Sequence, residues 1–246
     1  EGCRAASADA LRKLGDRTRS VIRPTCAVIE VGSGNGKHML CDFVAGEVLD
    51  APTCQTWLSF GIAGDYSFDT QLRARCPWCT GHLFDPSMTY PSRIQNGVFF
   101  YKLGLKSKDR DLPSRRTNWV LASLPTFFRV FVGDSRSTGA TLAVLKMDCE
   151  GCEYEVAKAV AEEEPRLFAR VDQVTLEVHV SRTWMRDVDD MFHLGMLFHM
   201  MQREGLQLQH ASLDACGAQD EAAGCLPEFV ASGMTCVRHA MCHNYL

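Results

Sequence analysis

Leu145-Lys146-Met147-Asp148-Cys149-Glu150-Gly151-Cys152-Glu153-Tyr154-Glu155 is the stretch on which the reading of this chain turns. The apolar run from Thr141 to Met147 predicts a buried strand. Two carboxylates and a glycine then stand where that strand would give way to a helix, and the carboxyl ends of strands are where an open α/β sheet binds ligands. The same acids would also serve a plain strand-to-helix turn by capping the next helix. A matching strand end elsewhere must decide between the two.

That match lies upstream. Thr56-Trp57-Leu58-Ser59-Phe60 predicts a short strand running into Gly61-Ile62-Ala63-Gly64, followed by an Asp65/Ser67 cap and a helix from Ser67 to Arg75 with Phe68 and Leu72 on one face. Glycine there lets backbone approach a ligand at a helix N-terminus. Gly81-His82-Leu83-Phe84-Asp85-Pro86-Ser87 predicts a second strand, ending in an acid 24 positions after Gly61. In nucleotide folds an acid roughly 20 residues on reaches the ribose hydroxyls.

These motifs, together with Tyr101-Lys102-Leu103-Gly104-Leu105 and Leu176-Glu177-Val178-His179, resemble the methyltransferase-domain family that includes the methyltransferase-like proteins of animal secretory membranes, a relative of the FkbM-type methyltransferases. The similarity runs in order over roughly residues 30 to 235. It implies an α/β fold of the Rossmann-like class I methyltransferase type, a mostly parallel, doubly wound sheet with an antiparallel edge. It also implies S-adenosylmethionine as cofactor and methyl transfer to an acceptor that is poorly defined across the family. The residues expected at the cofactor are Gly61, Ile62, Asp65, Ser67, Phe68, Asp85, Pro86, Leu105 and Asp148.

A rival loop remains. Glu30-Val31-Gly32-Ser33-Gly34-Asn35-Gly36 fits the acid-x-Gly-x-Gly-x-Gly pattern of methyltransferases better than the Gly61 loop, and Asp50 falls 20 positions after Glu30. Lys37-His38-Met39-Leu40-Cys41-Asp42 is nevertheless a poor opening for a long helix, and the resemblance places a glycine-rich, cysteine-containing hairpin at this point. The Gly61 loop is therefore preferred, with Gly32 to Gly36 as a tight turn.

Asp148, Glu177 and His179 are the candidate catalytic residues. Adjacent parallel strands would bring them to one rim, and Glu177 and His179, two apart, share a face. A base there helps when the methyl acceptor is a hydroxyl. Asp148, Glu150, Glu177 and His179 also have suitable types for a magnesium or manganese ion, but nothing in their spacing demands one and no metal is assigned.

The remaining expected elements are strand Gly97 to Leu103, helix Trp119 to Phe128, helix Tyr154 to Glu164, strand Gln173 to Val180, helix Asp187 to Glu204 ended by Gly205, a half-exposed strand at Leu206 to His210, and Met234 to His239 as its possible partner. Residues 1 to 55 read as an extension with the cysteine hairpin and 56 to 246 as the Rossmann-like domain, together one compact unit. With 246 residues, 46% hydrophobic and 23% charged, the chain can bury one substantial core.

A net charge of −4 without a basic stripe argues against a dedicated nucleic-acid surface. No apolar run approaches the roughly 20 residues of a membrane span. The chain opens on Glu1, which suggests a fragment or processed form whose targeting segment, and any membrane tether, lies outside it. Oligomeric state is not legible.

Twelve cysteines favour an oxidising secretory compartment over the cytoplasm. Cys41 with Cys54 is the first pairing expected, stapling the hairpin that the resemblance places there, and Cys216 with Cys225 the second. The spacings Cys76-Pro77-Trp78-Cys79 and Cys149-Glu150-Gly151-Cys152 would fall at opposite ends of the sheet, too far apart for one zinc ion.

The expected function is S-adenosylmethionine-dependent methyl transfer to a hydroxyl of a sugar or other small molecule. The alternatives are a catalytically silent binding or scaffold domain with the same fold, and third a nicotinamide-linked oxidoreductase, which Pro86 and the acidic Asp148 loop make less attractive.

Overall fold

The computed structural model describes residues 25–42, 56–89, 93–106, 119–133, 141–149, 151–179, 188–210, 212–213 and 244–245. The chain begins with a hairpin, β1 (Val28–Val31) and β2 (His38–Cys41), joined by the glycine turn. Then come β3 (Thr56–Phe60), α1 (Ser67–Arg75), β4 (Thr80–Phe84), β5 (Arg93–Gln95), β6 (Val98–Tyr101), β7 (Leu103–Leu105) and β8 (Val120–Ala122). A short helix α2 (Leu124–Phe127) runs into a π-helical turn, Phe128–Val132. The rest is β9 (Leu142–Met147), α3 (Cys152–Glu163), β10 (Val171–Val178), α4 (Val188–Arg203), β11 (Ser212–Leu213) and β12 (Asn244–Tyr245).

The main sheet has eight strands in the order β11-β12-β10-β9-β3-β4-β6-β5. β10, β9, β3, β4 and β6 run parallel, β5 is antiparallel to β6, and β12 is antiparallel to both β10 and β11. This is the mostly parallel Rossmann-like sheet with an antiparallel edge that the sequence predicts. Strand order reverses direction between β3 and β9, so the loops after those two strands flank the topological switch point, where such sheets bind ligands.

Both faces of the sheet are covered. One face carries Leu58, Phe60, Leu145, Met147 and Leu176 against Val156, Ala157 and Val160 of α3 and Leu194 and Leu197 of α4, all essentially buried. Burying each of these side chains other than Ala157 is worth about 1.5–3 kcal/mol. Phe60 and Phe84, the last residues of β3 and β4, stack at 4.8 Å, and Phe127 meets both edge-on at 4.9 and 4.7 Å. An aromatic cluster therefore lies directly beneath the ends of the two strands that carry the candidate loops. The other face packs Trp57, Leu83 and Val144 against Phe68 and Leu72 of α1.

Several expectations need correction. The predicted helix Trp119 to Phe128 is a strand and a shorter helix: Val120, Leu121 and Ala122 pair in parallel with Leu103, Gly104 and Leu105, and the helix begins only after the Ser123 cap, with Pro125 in its first turn. The strand expected over Gly97 to Leu103 breaks at Lys102, because β6 belongs to the main sheet and β7 to that separate pair. Leu206 to His210 form no strand; the Leu206 amide returns to the Met201 carbonyl at 3.1 Å as a helix C-cap, and the edge pairing occurs at Ser212–Leu213 with Asn244–Tyr245. Met234 to His239 lie outside the described residues.

Cys41 is bonded to Cys26, not to Cys54. The bridge closes the open end of the hairpin, where Val28 pairs with Cys41. Cys149 and Cys152 are also joined, and Cys76 is a buried free thiol. Cys54, Cys216 and Cys225 lie outside the described residues. Among the described residues no helix is long and apolar enough to cross a membrane.

Candidate active site

A polar row runs across the sheet toward the switch point. Ser59, Lys146 and Thr175 lie side by side in register on β3, β9 and β10. All three are buried, and a lysine in the middle of a buried strand must find oxygen partners. Lys146 Nζ donates to the Gly61 carbonyl at 2.9 Å and lies 3.6 Å from Asp148 Oδ2. It thereby joins the loops that follow β3 and β9.

Covering elements complete the row. Asp69 of α1 accepts from Trp57 Nε1 at 2.8 Å and from the Ser59 hydroxyl at 3.3 Å. Burial pushes the Asp69 carboxyl up to about 6, although nearby Lys146 and these two donors pull the other way. From the hairpin, His38 Nδ1 sits 3.1 Å from Thr175 Oγ1, and burial, helped by Lys146 and opposed by Asp148, pushes its imidazole down to about 3. Gln173 clasps Cys41 through both its backbone N–H and its carbonyl.

The two rival glycine loops are neighbours. Gly36 N donates to Asp65 Oδ2 at 3.1 Å, Ser33 N to Ser67 Oγ at 3.0 Å, and Gln71 of α1 pairs with both backbone groups of Gly32. The Gly32 turn thus lies over the N-terminal end of α1 and braces the Gly61 loop. Burial tends to raise Asp65, but hydrogen bonds from the Ser67 side chain and backbone and from Gly36 outweigh it and hold the carboxyl below its usual range.

Asp85 is held in the same web. Its Oδ2 accepts from the amides of Ile62 (3.1 Å) and Ala63 (2.9 Å), and its Oδ1 from the amide (2.9 Å) and hydroxyl (2.6 Å) of Ser87. The four acceptor sites of a carboxylate are thereby engaged within the chain. Pro86 packs on β7, close enough that a Cβ on Gly104 would meet its ring at 2.7 Å. Ile62 and Phe68 are buried on the α1 face and Leu105 in the larger core, so those three side chains support the rim from beneath. Ala63, Gly64 and Ser87 are exposed along it.

Asp148, Glu177 and His179 converge as their positions on adjacent strands predict, each offering a ligand atom within 4.8 Å of the others. The Asp148 side chain keeps 21% of its surface, whereas Glu177 and His179 are buried. Glu150 lies outside the described residues. Two partners went unread in the sequence: Glu153 Oε1 sits 2.6 Å from His179 Nδ1, and the Tyr154 hydroxyl donates to the His179 carbonyl at 2.6 Å. Burial, then Glu153 and Asp190, push the Tyr154 phenol up and keep it a donor.

A family model described as a methyltransferase domain matches residues 23–206. The chain belongs to this methyltransferase-domain family. The match begins ahead of the hairpin and ends just after α4, so it takes in every loop described above. No curated protein and no solved structure matches the chain. In the methyltransferase domain a cavity of about 420 Å³ lies elsewhere, between the hairpin, the first half of β10 and α4. Asp172 on its wall is separated from His179 by nearly the whole length of β10, about 23 Å of strand.

Proposed function

We propose that this domain transfers a methyl group from S-adenosylmethionine to a hydroxyl of a sugar or other small molecule. The observation that carries the reading is the grouping of the Gly61 loop, the Asp85 turn and Asp148 at neighbouring carboxyl ends of β3, β4 and β9. The chemistry of the rim supports it: three carboxylates, Asp65, Asp85 and Asp148, suit a cofactor whose sulfonium and ammonium are positive, and they oppose the pyrophosphate of a nicotinamide cofactor.

When bound, S-adenosylmethionine supplies a methyl whose bond to sulfur breaks with the electron pair left on sulfur. Gly61 to Asp65 and Ser67 would hold its amino-acid end, and the Asp85-Pro86 turn its adenosine. Asp148, which keeps an open side where Glu177 and His179 are buried, would receive the acceptor's hydroxyl proton as the new oxygen–carbon bond forms. Glu177 and His179 stand behind it, screened from water. The disulfides support a secretory or extracellular setting.

A second reading, a catalytically silent domain that keeps the fold, draws on the saturation of Asp85 by its own loop. Screening labelled methyl transfer onto glycan, peptide and small-molecule pools separates the two. Label on a hydroxyl, reduced far more in turnover than in cofactor affinity by Asp148→Asn, is the expected result. Label on protein lysines alone would reject the hydroxyl acceptor, and cofactor binding without any transfer would favour the silent domain.

A further inference from the structure

We propose that Asp148, Glu177 and His179 hold a divalent cation, with Glu153 as the carboxylate that fixes the imidazole behind it. The sheet builds the convergence. Leu176 pairs with Met147 in the parallel register of β10 and β9, so Glu177 and Asp148 leave adjacent strands at one level, and His179 repeats the face of Glu177. Their three ligand atoms lie within 4.8 Å of one another. Atoms bound to one ion at about 2.0–2.2 Å lie from about 3 Å (adjacent) to about 4.4 Å (opposite) apart, so an ion would draw the three side chains inward.

Two observations beyond the trio point to a cation. The first is the way His179 is held. Its Nδ1 faces Glu153 Oε1 at 2.6 Å, with both side chains fully buried, and its Nε2 faces Glu177 Oε1 at 3.7 Å. A histidine that gives one ring N–H to a carboxylate and turns the other nitrogen toward acidic oxygens has the arrangement of a metal ligand with its outer carboxylate. Tyr154, holding the His179 carbonyl, fixes the backbone of the same residue.

The second is charge. Glu153 Oε2 is buried with no hydrogen-bond partner among the described residues, so that carboxylate is compensated by the imidazole and by the N-terminus of α3, in whose first turn it stands. A cation on the far side of the ring strengthens the N–H that Glu153 accepts. Lys146 brings one positive charge, 3.6 Å from Asp148, to a group that also contains the carboxylates of Glu153 and Glu177. Carboxylates gathered this closely in a dry interior repel one another, and a divalent ion between Asp148 and Glu177 relieves that repulsion. Two carboxylates with one imidazole suit manganese or magnesium, and the imidazole tilts the choice to manganese.

The use of the ion, though not its binding, rests on the methyl-transfer reading. There it would give an acceptor hydroxyl a Lewis-acid contact beside the open edge of Asp148.

The test is a manganese titration of the full, oxidised chain after chelator treatment, followed by the electron paramagnetic resonance of free Mn²⁺ without cofactor or acceptor. One saturable site per chain is expected. Asp148→Asn and Glu177→Gln should each weaken it at least about tenfold, and Glu153→Gln, which touches no ion, by about 10–100-fold. Circular dichroism establishes that each variant is folded, and the manganese-induced rise in melting temperature should disappear in Asp148→Asn. Absence of saturable manganese or magnesium binding by the unmodified chain overturns the proposal, and so does a site indifferent to Asp148→Asn. Ion binding without S-adenosylmethionine binding would keep this site and remove the methyl-transfer reading; cofactor binding without ion binding would do the reverse.

Discussion

Gly61 lies with its α-carbon against the backbone of Asp148: a Cβ at position 61 would stand 1.5 Å from the Asp148 carbonyl oxygen. Its φ of +76° is the left-handed region as well. The glycine that the sequence offers as a point of ligand approach is therefore first the point where two strand-end loops touch.

Gly61→Ala is accordingly expected to act through the fold. The left-handed backbone costs an alanine about 1–2 kcal/mol, and parting the loops adds to it, for a total of about 3 kcal/mol or more. Urea unfolding measures this, and cofactor affinity should fall with it. An alanine variant as stable as the unmodified chain would show that the two loops are not in contact.

Asp85→Asn should destabilise by about 1.5–3 kcal/mol, the scale of hydrogen bonds to a charged group. Stability and cofactor affinity are to be measured on the same variant. A loss of both means the carboxylate serves the loop and the ribose together; a loss of stability alone confines it to the loop. Unchanged stability would contradict the web of amides around it.

The buried acid and the buried imidazole of the polar row give opposite pH signatures. Asp69, raised from 3.8 to about 6, stabilises the fold below 3.8 and loses that contribution as pH rises toward 6. His38, lowered from 6.5 to about 3, stabilises above 6.5 and loses that contribution as pH falls toward 3. Asp69→Asn should therefore steepen the loss of stability on acidification from pH 6 to 4, while His38→Gln should flatten it. Denaturant unfolding at a series of pH values reads both, and parallel curves for the variants and the unmodified chain would refute the assignment.

The bridge between Cys26 and Cys41 closes a sequence separation of 15. Loop entropy assigns such closure about 3 kcal/mol, so Cys41→Ser should lower stability by about that amount. Peptide mapping without reduction should recover Cys26 joined to Cys41. Recovery of Cys41 joined to Cys54 would return the pairing to the one predicted from the sequence.

The parallel core was legible because its signals are local. Thr56–Phe60 and Ser67–Arg75 carry an apolar run, a glycine stop and a helical stripe, and both elements appear with the bounds predicted. Val120–Ala122 was not legible as a strand, since its partner at Leu103–Leu105 is remote in sequence and too short to impose alternation. The alternation of Leu206 and Leu208 misled for the opposite reason: the left-handed turn at Gly205, φ +94°, wraps Leu206 back onto the helix end.

Within the site, Asp148, Glu177 and His179 could be placed by strand parity alone. Glu153 and Tyr154 could not, because their roles depend on where the N-terminus of α3 meets the end of β10, which no periodicity encodes. Lys146 carried a signal that went unused: a lone lysine inside the run Leu142–Met147 must reach oxygens at a strand end, and it reaches those of Gly61 and Asp148.

Isothermal titration of the full chain with S-adenosylmethionine and with S-adenosylhomocysteine tests the central claim most directly. The account predicts a single shared site, each ligand displacing the other, weakened by Asp65→Ala at the rim. No detectable binding of either compound at millimolar concentration would contradict it.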